Sequence, residues 1–242
     1  SQMNDTSGCE SDRAEIDVVL SESPRIFQQA LNFDGTNDKV TIPNNSTLNL
    51  SNNFSIEAWV KIDENLNYSG SRMGVATKVQ WSSSGLGYGL DIEGGKPRIF
   101  SGQGYSNWSG TSSPNALPKD TWVHLAGTYN GTTFKLYVDG ELVNERSSTT
   151  GVSSNTKPLT IGSWPSESKF FKGEIDDVRV WNTTRTASEI LQNKNIELVG
   201  NETGLVAYYN FNHGNPSANN DGLTSLEDIT TNNLDGTLQS FA

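Results

Sequence analysis

Two groups of side chains in this sequence have the types and spacing for chemistry: a few carboxylates inside apolar strands, and aromatic rings in polar surroundings. In Gly173-Glu-Ile-Asp-Asp-Val-Arg-Val-Trp181 a two-residue period puts Asp176 on one face with Val178 and Val180. An ionised carboxylate among valines is costly unless it is paired or coordinated. Two readings fit: Asp176 holds a cation, or it accepts backbone N–H groups at a strand end. Formal charge is 17 − 28 = −11, and a surplus of carboxylates suits calcium, which takes oxygen ligands.

The aromatic group offers different chemistry. Sugar rings have an apolar face that stacks on aromatic side chains, while neighbouring amides and charged groups bind the hydroxyls. Trp81 in Gln-Trp-Ser-Ser-Ser, Tyr105 and Trp108 in Gly-Gln-Gly-Tyr-Ser-Asn-Trp-Ser-Gly, Trp164 in Gly-Ser-Trp-Pro, and Tyr68 all sit among small polar residues. Exposed rings on loops of a rigid scaffold are commonly ligand contacts. Arg98, Gln103, Asn107 and Asp91 are close enough in sequence to supply polar contacts. Trp59, Trp122, Tyr137 and Trp181 lie within strand motifs and read as packing residues.

Other chemistries are poorly served. The histidines are His124 and His213, and His124 alternates with apolar neighbours as a packed residue does. There is no Ser-His-Asp pattern, phosphate loop or zinc spacing, and Cys9 stands alone, so no internal disulfide framework is expected. The negative field opposes nucleic acid and anionic membrane surfaces. No apolar run approaches the roughly 20 residues needed to span a bilayer as a helix. The first residues lack the basic start and apolar stretch of a signal peptide, so the chain reads as an excised or mature fragment.

The elements that must position these groups are strands. Thr121–Val143 holds Asn130-Gly131 and Asp139-Gly140, dipeptides that accept positive φ at both central positions of a tight type I′ turn. Antiparallel strands joined by such turns exclude a helical or parallel-sheet protein. Strands are predicted at 30–33, 38–42, 54–62, 73–80, 87–93, 96–101, 121–129, 133–138, 141–147, 158–162, 171–181, 204–211 and 235–239. Their spacing implies a sandwich or jelly roll. Thr186-Ala-Ser-Glu189 has the capping-box form and predicts a short helix near 187–194. Residues 1–27 read as a linker or tail, and 212–233 as a long loop needing a bound ion or a packed motif such as Leu223-Leu226-Ile229.

Five segments in order carry a family likeness: Ala30-Leu-Asn-Phe-Asp-Gly35 with Asp38-Lys-Val40, Phe54–Val60, Trp122–Tyr129, Leu136-Tyr-Val-Asp-Gly140 and Gly173–Trp181. Together they resemble the laminin-G-like, concanavalin A-like jelly rolls of bacterial, Bacteroidetes-type surface and polysaccharide-utilisation proteins. The resemblance implies an all-β, two-sheet antiparallel jelly-roll sandwich with one short helix over 28–242. By similarity to laminarinase-type glucanases, it also implies a structural calcium held by Asp176 and by backbone carbonyls of the first strand near the Asp34-Gly35 turn, with Asp38 as a further carboxylate. The glutamate-aspartate-glutamate strand of those glucanases is not matched, since Glu174-Ile-Asp176-Asp177 lacks the last glutamate.

The expected function is a non-catalytic carbohydrate-binding module of an extracellular or cell-surface protein, part of a larger multidomain chain. Its glycan or polysaccharide would meet Trp81, Tyr105, Trp108, Trp164, Arg98, Gln103 and Asn107. An adhesion or spacer domain binding protein is the alternative, and an unrecognised polysaccharide hydrolase or lyase a weaker one.

Overall fold

The computed structural model describes residues 29–83, 85–164, 169–212 and 222–241. The expected tail at 1–27, Cys9 and His213 lie outside the described residues. The strands are β1 (Leu31–Asp34), β2 (Lys39–Ile42), β3 (Asn53–Ile62), β4 (Arg72–Val79), β5 (Gly87–Glu93), β6 (Lys96–Gly102), β7 (Trp108–Ser112) and β8 (Trp122–Asn130). There follow β9 (Thr133–Val138), β10 (Glu141–Ser147), β11 (Leu159–Ile161), β12 (Lys172–Trp181), β13 (Leu205–Tyr209), β14 (Ser225–Leu226) and β15 (Gly236–Gln239), with one helix, α1 (Ala187–Asn193). Strands β7 and β14 were not expected: Trp-Ser-Gly-Thr-Ser reads as loop because it is small and polar, and β14 has only two residues.

One sheet has the order β1-β12-β3-β8-β9-β10, with β13 beside β12, and the other the order β14-β15-β2-β11-β4-β5-β6-β7. Alternate residues from both, among them Ile56, Ala58, Val60, Leu90, Ile92, Ile99 and Leu125, close the core between them. This is the expected all-β jelly-roll sandwich. Asp139 and Gly140 both adopt positive φ, +53° and +88°, as a type I′ turn requires. The other dipeptide behaves differently. Gly131 is left-handed, but Asn130 stays in the strand and its Oδ1 accepts from the Thr132 and Thr133 N–H groups.

The expectation for Asp176 needs correction. Between Asp176 and Arg179 the β12 register against β3 shifts, and Asp177 takes φ +53°. This bulge inserts one residue and resets the alternation. Ile175, Val178 and Val180 therefore all enter the core, while Asp176 pairs across from Trp59 on the other face. That outer face is buried beneath residues 182–200. Ile190 of α1 packs on Ala126 and Tyr137, and Trp181 packs with Leu198, Leu205 and Tyr208. The helix is held by the expected capping box: the Glu189 N–H donates to Thr186 Oγ1 (3.2 Å) and the Thr186 N–H to Glu189 Oε2 (2.8 Å).

The long loop is packed at its end. Leu226 is buried and Ile229 packs against the Trp181 cluster, whereas Leu223 is exposed. The buried Asp228 carboxylate accepts the N–H groups of Tyr208, Thr230 and Leu234, tying the loop to β13.

Candidate functional site

The β5–β6–β7 meander builds the site on the solvent side of the second sheet. Cross-strand pairs Asp91–Arg98, Gly89–Phe100, Phe100–Gly110 and Gly102–Trp108 fall on the face away from the core. Small residues are required beside Phe100: a Cβ at Gly89 would stand 2.8 Å from Phe100 Cζ, and one at Gly110 2.8 Å from Phe100 Cβ. The Phe100 ring can thus lie across the sheet, and the other rings assemble on it. Trp164 stacks on Phe100 at 5.4 Å with an interplanar angle of 13°. Trp108 meets Phe100 edge-on at 6.5 Å, Trp81 meets Trp164 at 6.2 Å, and Tyr105 lies 6.3 Å from Trp81.

Five rings therefore form one continuous cluster, of which Trp81, Tyr105 and Trp108 are 45%, 51% and 43% exposed. The structure brings together the four aromatics expected from sequence, with two corrections. Trp164 is 2% exposed and acts as the cluster's buried keystone. Trp108 opens the edge strand β7 and is not in a loop.

Two guanidinium groups thread the rings. The Arg72 carbon Cζ lies 3.7 Å from the Trp164 ring centre, and Arg98 lies 5.5 Å from that of Trp108. Both converge on Asp91, which is fully buried: Arg98 donates Nε to Oδ1 (3.0 Å) and Nη2 to Oδ2 (2.7 Å), and Arg72 donates Nε to Oδ2 (3.1 Å). Arg98 Nη1 also donates to Glu93 at 2.6 Å. Burial works against the Arg98 charge, but the carboxylates of Asp91 and Glu93 outweigh it and raise its pKa.

Gln103 and Asn107 are exposed in the β6–β7 loop, closed by an N–H···O bond of 2.9 Å from Gln103 to Asn107 and an amide contact of 3.3 Å. The Tyr105 N–H donates to the Ser82 carbonyl at 2.9 Å, docking this loop on the Trp81 loop.

The sequence reading missed Phe100 and Arg72. The signal was present: alternation across a Gly94-Gly95 hairpin puts Arg98 and Phe100 opposite Asp91 and Gly89.

Of the residues expected around calcium, Asp34, Gly35 and Asp38 lie together in one turn, and Asp176 lies apart from them. Asp34 pairs with Lys172 in the β1–β12 register, and Asp176 lies four residues further along β12, about 13 Å at ~3.3 Å per residue. Asp34 Oδ1 accepts the N–H groups of Thr36 and Asn37 around Gly35, and Asp38 Oδ2 accepts that of Asp34. These two acids cap the turn around Gly35. Among the described residues no group of three or more His, Cys, Asp or Glu side chains is placed to hold a metal.

A second polar cluster lies under α1. Glu57 sits 3.5 Å from His124 Nε2 and 3.9 Å from Arg179 Nη1, and Arg179 grips Asp177 through Nε and Nη2. Arg179 also donates to the carbonyls of Asn193 and Ile196. His124 packs edge-on against Trp59 at 5.3 Å, as a packed residue. Burial pushes the Glu57 carboxyl up, but His124, Arg179 and Arg185 outweigh it and hold it below its ordinary range. All of this is sealed from solvent and serves to dock the helix.

A family model for the concanavalin A-like lectin/glucanase superfamily matches residues 34–191, and the chain belongs to that superfamily. Mouse pappalysin-1 is 25% identical over 187 residues, 71% of this chain and 11% of its own length. A Bacteroides ovatus protein provisionally assigned to carbohydrate binding superposes with TM-score 0.65 at 20% identity, over 88% of this chain and 58% of that one. Domain 4 of an extracellular GH43 arabinanase from Geobacillus stearothermophilus, in complex with arabinotriose, gives TM-score 0.52 at 19% identity, over 67% and 75% of the two chains. The binding domain of botulinum neurotoxin serotype D gives 0.54 at 18% identity, over 68% and 42%. These structural likenesses are likenesses of fold, and the chain spans 58% of the Bacteroides ovatus protein and 11% of pappalysin-1.

Proposed function

We propose that this chain is a non-catalytic carbohydrate-binding module of an extracellular or cell-surface protein, and that it binds a polysaccharide on the aromatic face of its second sheet. The observation carrying this reading is the exposure of Trp81, Tyr105 and Trp108 on one ring cluster that buried partners hold rigid. Rings fixed in advance lose little conformational freedom on binding. The exposed amides of Gln103 and Asn107 border the rings and can bond hydroxyls. The arabinotriose complex of the arabinanase domain supports the same use of this fold. Partial coverage of the relatives supports a place within a longer chain.

Affinity electrophoresis in native gels containing single polysaccharides tests the reading. At least one polymer should retard the protein, and Trp108→Ala should weaken retention by about tenfold, equal to 1.4 kcal/mol. If no polymer retards the wild type while a protein ligand does, the same patch of Trp, Tyr and Arg is an adhesion hot spot instead.

A further inference from the structure

Resting on the glycan reading, we infer that this face selects neutral, hydroxyl-rich polysaccharide and rejects chains carrying carboxylate or sulfate groups. Arginines beside exposed rings would ordinarily suggest an anionic ligand. Here their charge is already spent inside the protein. Arg98 uses Nε and both terminal nitrogens on Asp91 and Glu93, at 3.0, 2.7 and 2.6 Å. Asp91 is fully buried, so drawing Arg98 toward an external anion would take two of its three guanidinium contacts from a buried carboxylate and leave it with Arg72 Nε alone, an unfavourable step.

Arg72 shares that carboxylate through Nε and is held flat on Trp164. Two cations thus face two carboxylates, and Glu93, about half exposed, stands at the rim where an incoming anion would arrive. The net charge of −11 adds repulsion at longer range. What the face offers is three apolar ring surfaces and neutral or charge-compensated donors, which is complementary to the C–H faces and hydroxyls of an uncharged sugar chain.

Isothermal titration with arabinan, laminarin and galactan, and separately with polygalacturonate and alginate, tests this at about 50 and 500 mM NaCl, where screening lengths differ widely. A neutral polymer should bind with an affinity that changes by less than about twofold between the two salts, since no ions are released. The acidic polymers should show no heat. Glu93→Gln, at an exposed position, and Asp91→Asn, an isosteric change, should each gain binding to polygalacturonate that is lost at high salt. Salt-sensitive binding of either acidic polymer by the wild type, at an affinity matching the neutral ones, would overturn charge selection and leave the glycan site standing. Silence with all five polymers would overturn the site itself and this inference with it.

Discussion

Trp108 and Trp164 touch the same phenylalanine from different sides, and their substitutions should separate binding from folding. Trp164 is enclosed by Phe100, Trp81, Val79, Leu86 and the Arg72 guanidinium. Truncating a buried tryptophan costs about 3–5 kcal/mol, so Trp164→Ala should shift the urea midpoint strongly and abolish binding too. Trp108→Ala, at a ring 43% exposed, should lose binding with a much smaller shift. Equal destabilisation by the two would contradict this division. The local sequence revealed that Trp81, Tyr105 and Trp108 are presented to solvent, because their neighbours are small and polar. It could not reveal the burial of Trp164, whose cover comes from Phe100 on another strand. Lys78 was invisible for a similar reason. Its ammonium is buried and donates to Asn44 Oδ1, Asn155 O and Lys157 O, and burial lowers its pKa to about 8 from 10.5. Between those values the unfolded chain holds a proton that the folded one lacks, so stability from this group rises with pH. Denaturant melts from pH 8 to 9.5 should show that rise in the wild type and not in Lys78→Met. The range stops short of pH 10, above which the raised pKa of buried phenols such as Tyr88 and Tyr129 acts in the opposite sense. Parallel profiles for the two proteins would refute the assignment.

Strand β12 and helix α1 show why strands were easier to read than the sites on them. The period of two located β12 to within a residue, yet one left-handed residue, Asp177, reversed the facing of Asp176 relative to the valines. Nothing in Asp-Asp-Val marks the bulge, because what sustains it is the Asp177–Arg179 bidentate pair and the Asn193 and Ile196 carbonyls that Arg179 reaches. The helix, by contrast, is written locally in Thr186 and Glu189. Loss of such a cap costs about 1 kcal/mol. Thr186→Ala should therefore lower stability by that amount and raise hydrogen-exchange rates in 187–193. Affinity for polysaccharide should stay unchanged, since the ring cluster lies on the other sheet. An accompanying loss of binding would show that the two outer faces are coupled.

The sandwich as a whole has two buried layers: the main core between the sheets, and a smaller one that residues 182–200 form against the outer face of the first sheet. The jelly roll was legible because short alternating runs and turn dipeptides recur along the chain. The ring site was only half legible, since three separate connections, β4–β5, β6–β7 and the segment after β11, must converge to make it. The smaller layer contains the charges that should set the acid limit of the fold. Glu57 is ionised there with its pKa below the ordinary 4.5, because His124 and the Arg179 and Arg185 charges overcome its desolvation. For a depressed carboxyl, the stabilisation is fully present above the unfolded value and lost as pH falls through the folded one. Asp38, raised by burial, acts in the opposite direction. The melting temperature should thus hold from pH 7 to 5 and fall steeply below about 4.5. Removing one member of a buried ion pair costs about 3–5 kcal/mol, so Glu57→Gln should melt lower at pH 7 and lose less between pH 5 and 3. If wild type and variant lose stability in parallel across that acid range, the limit lies elsewhere, and the layer under α1 is held by its apolar contacts alone.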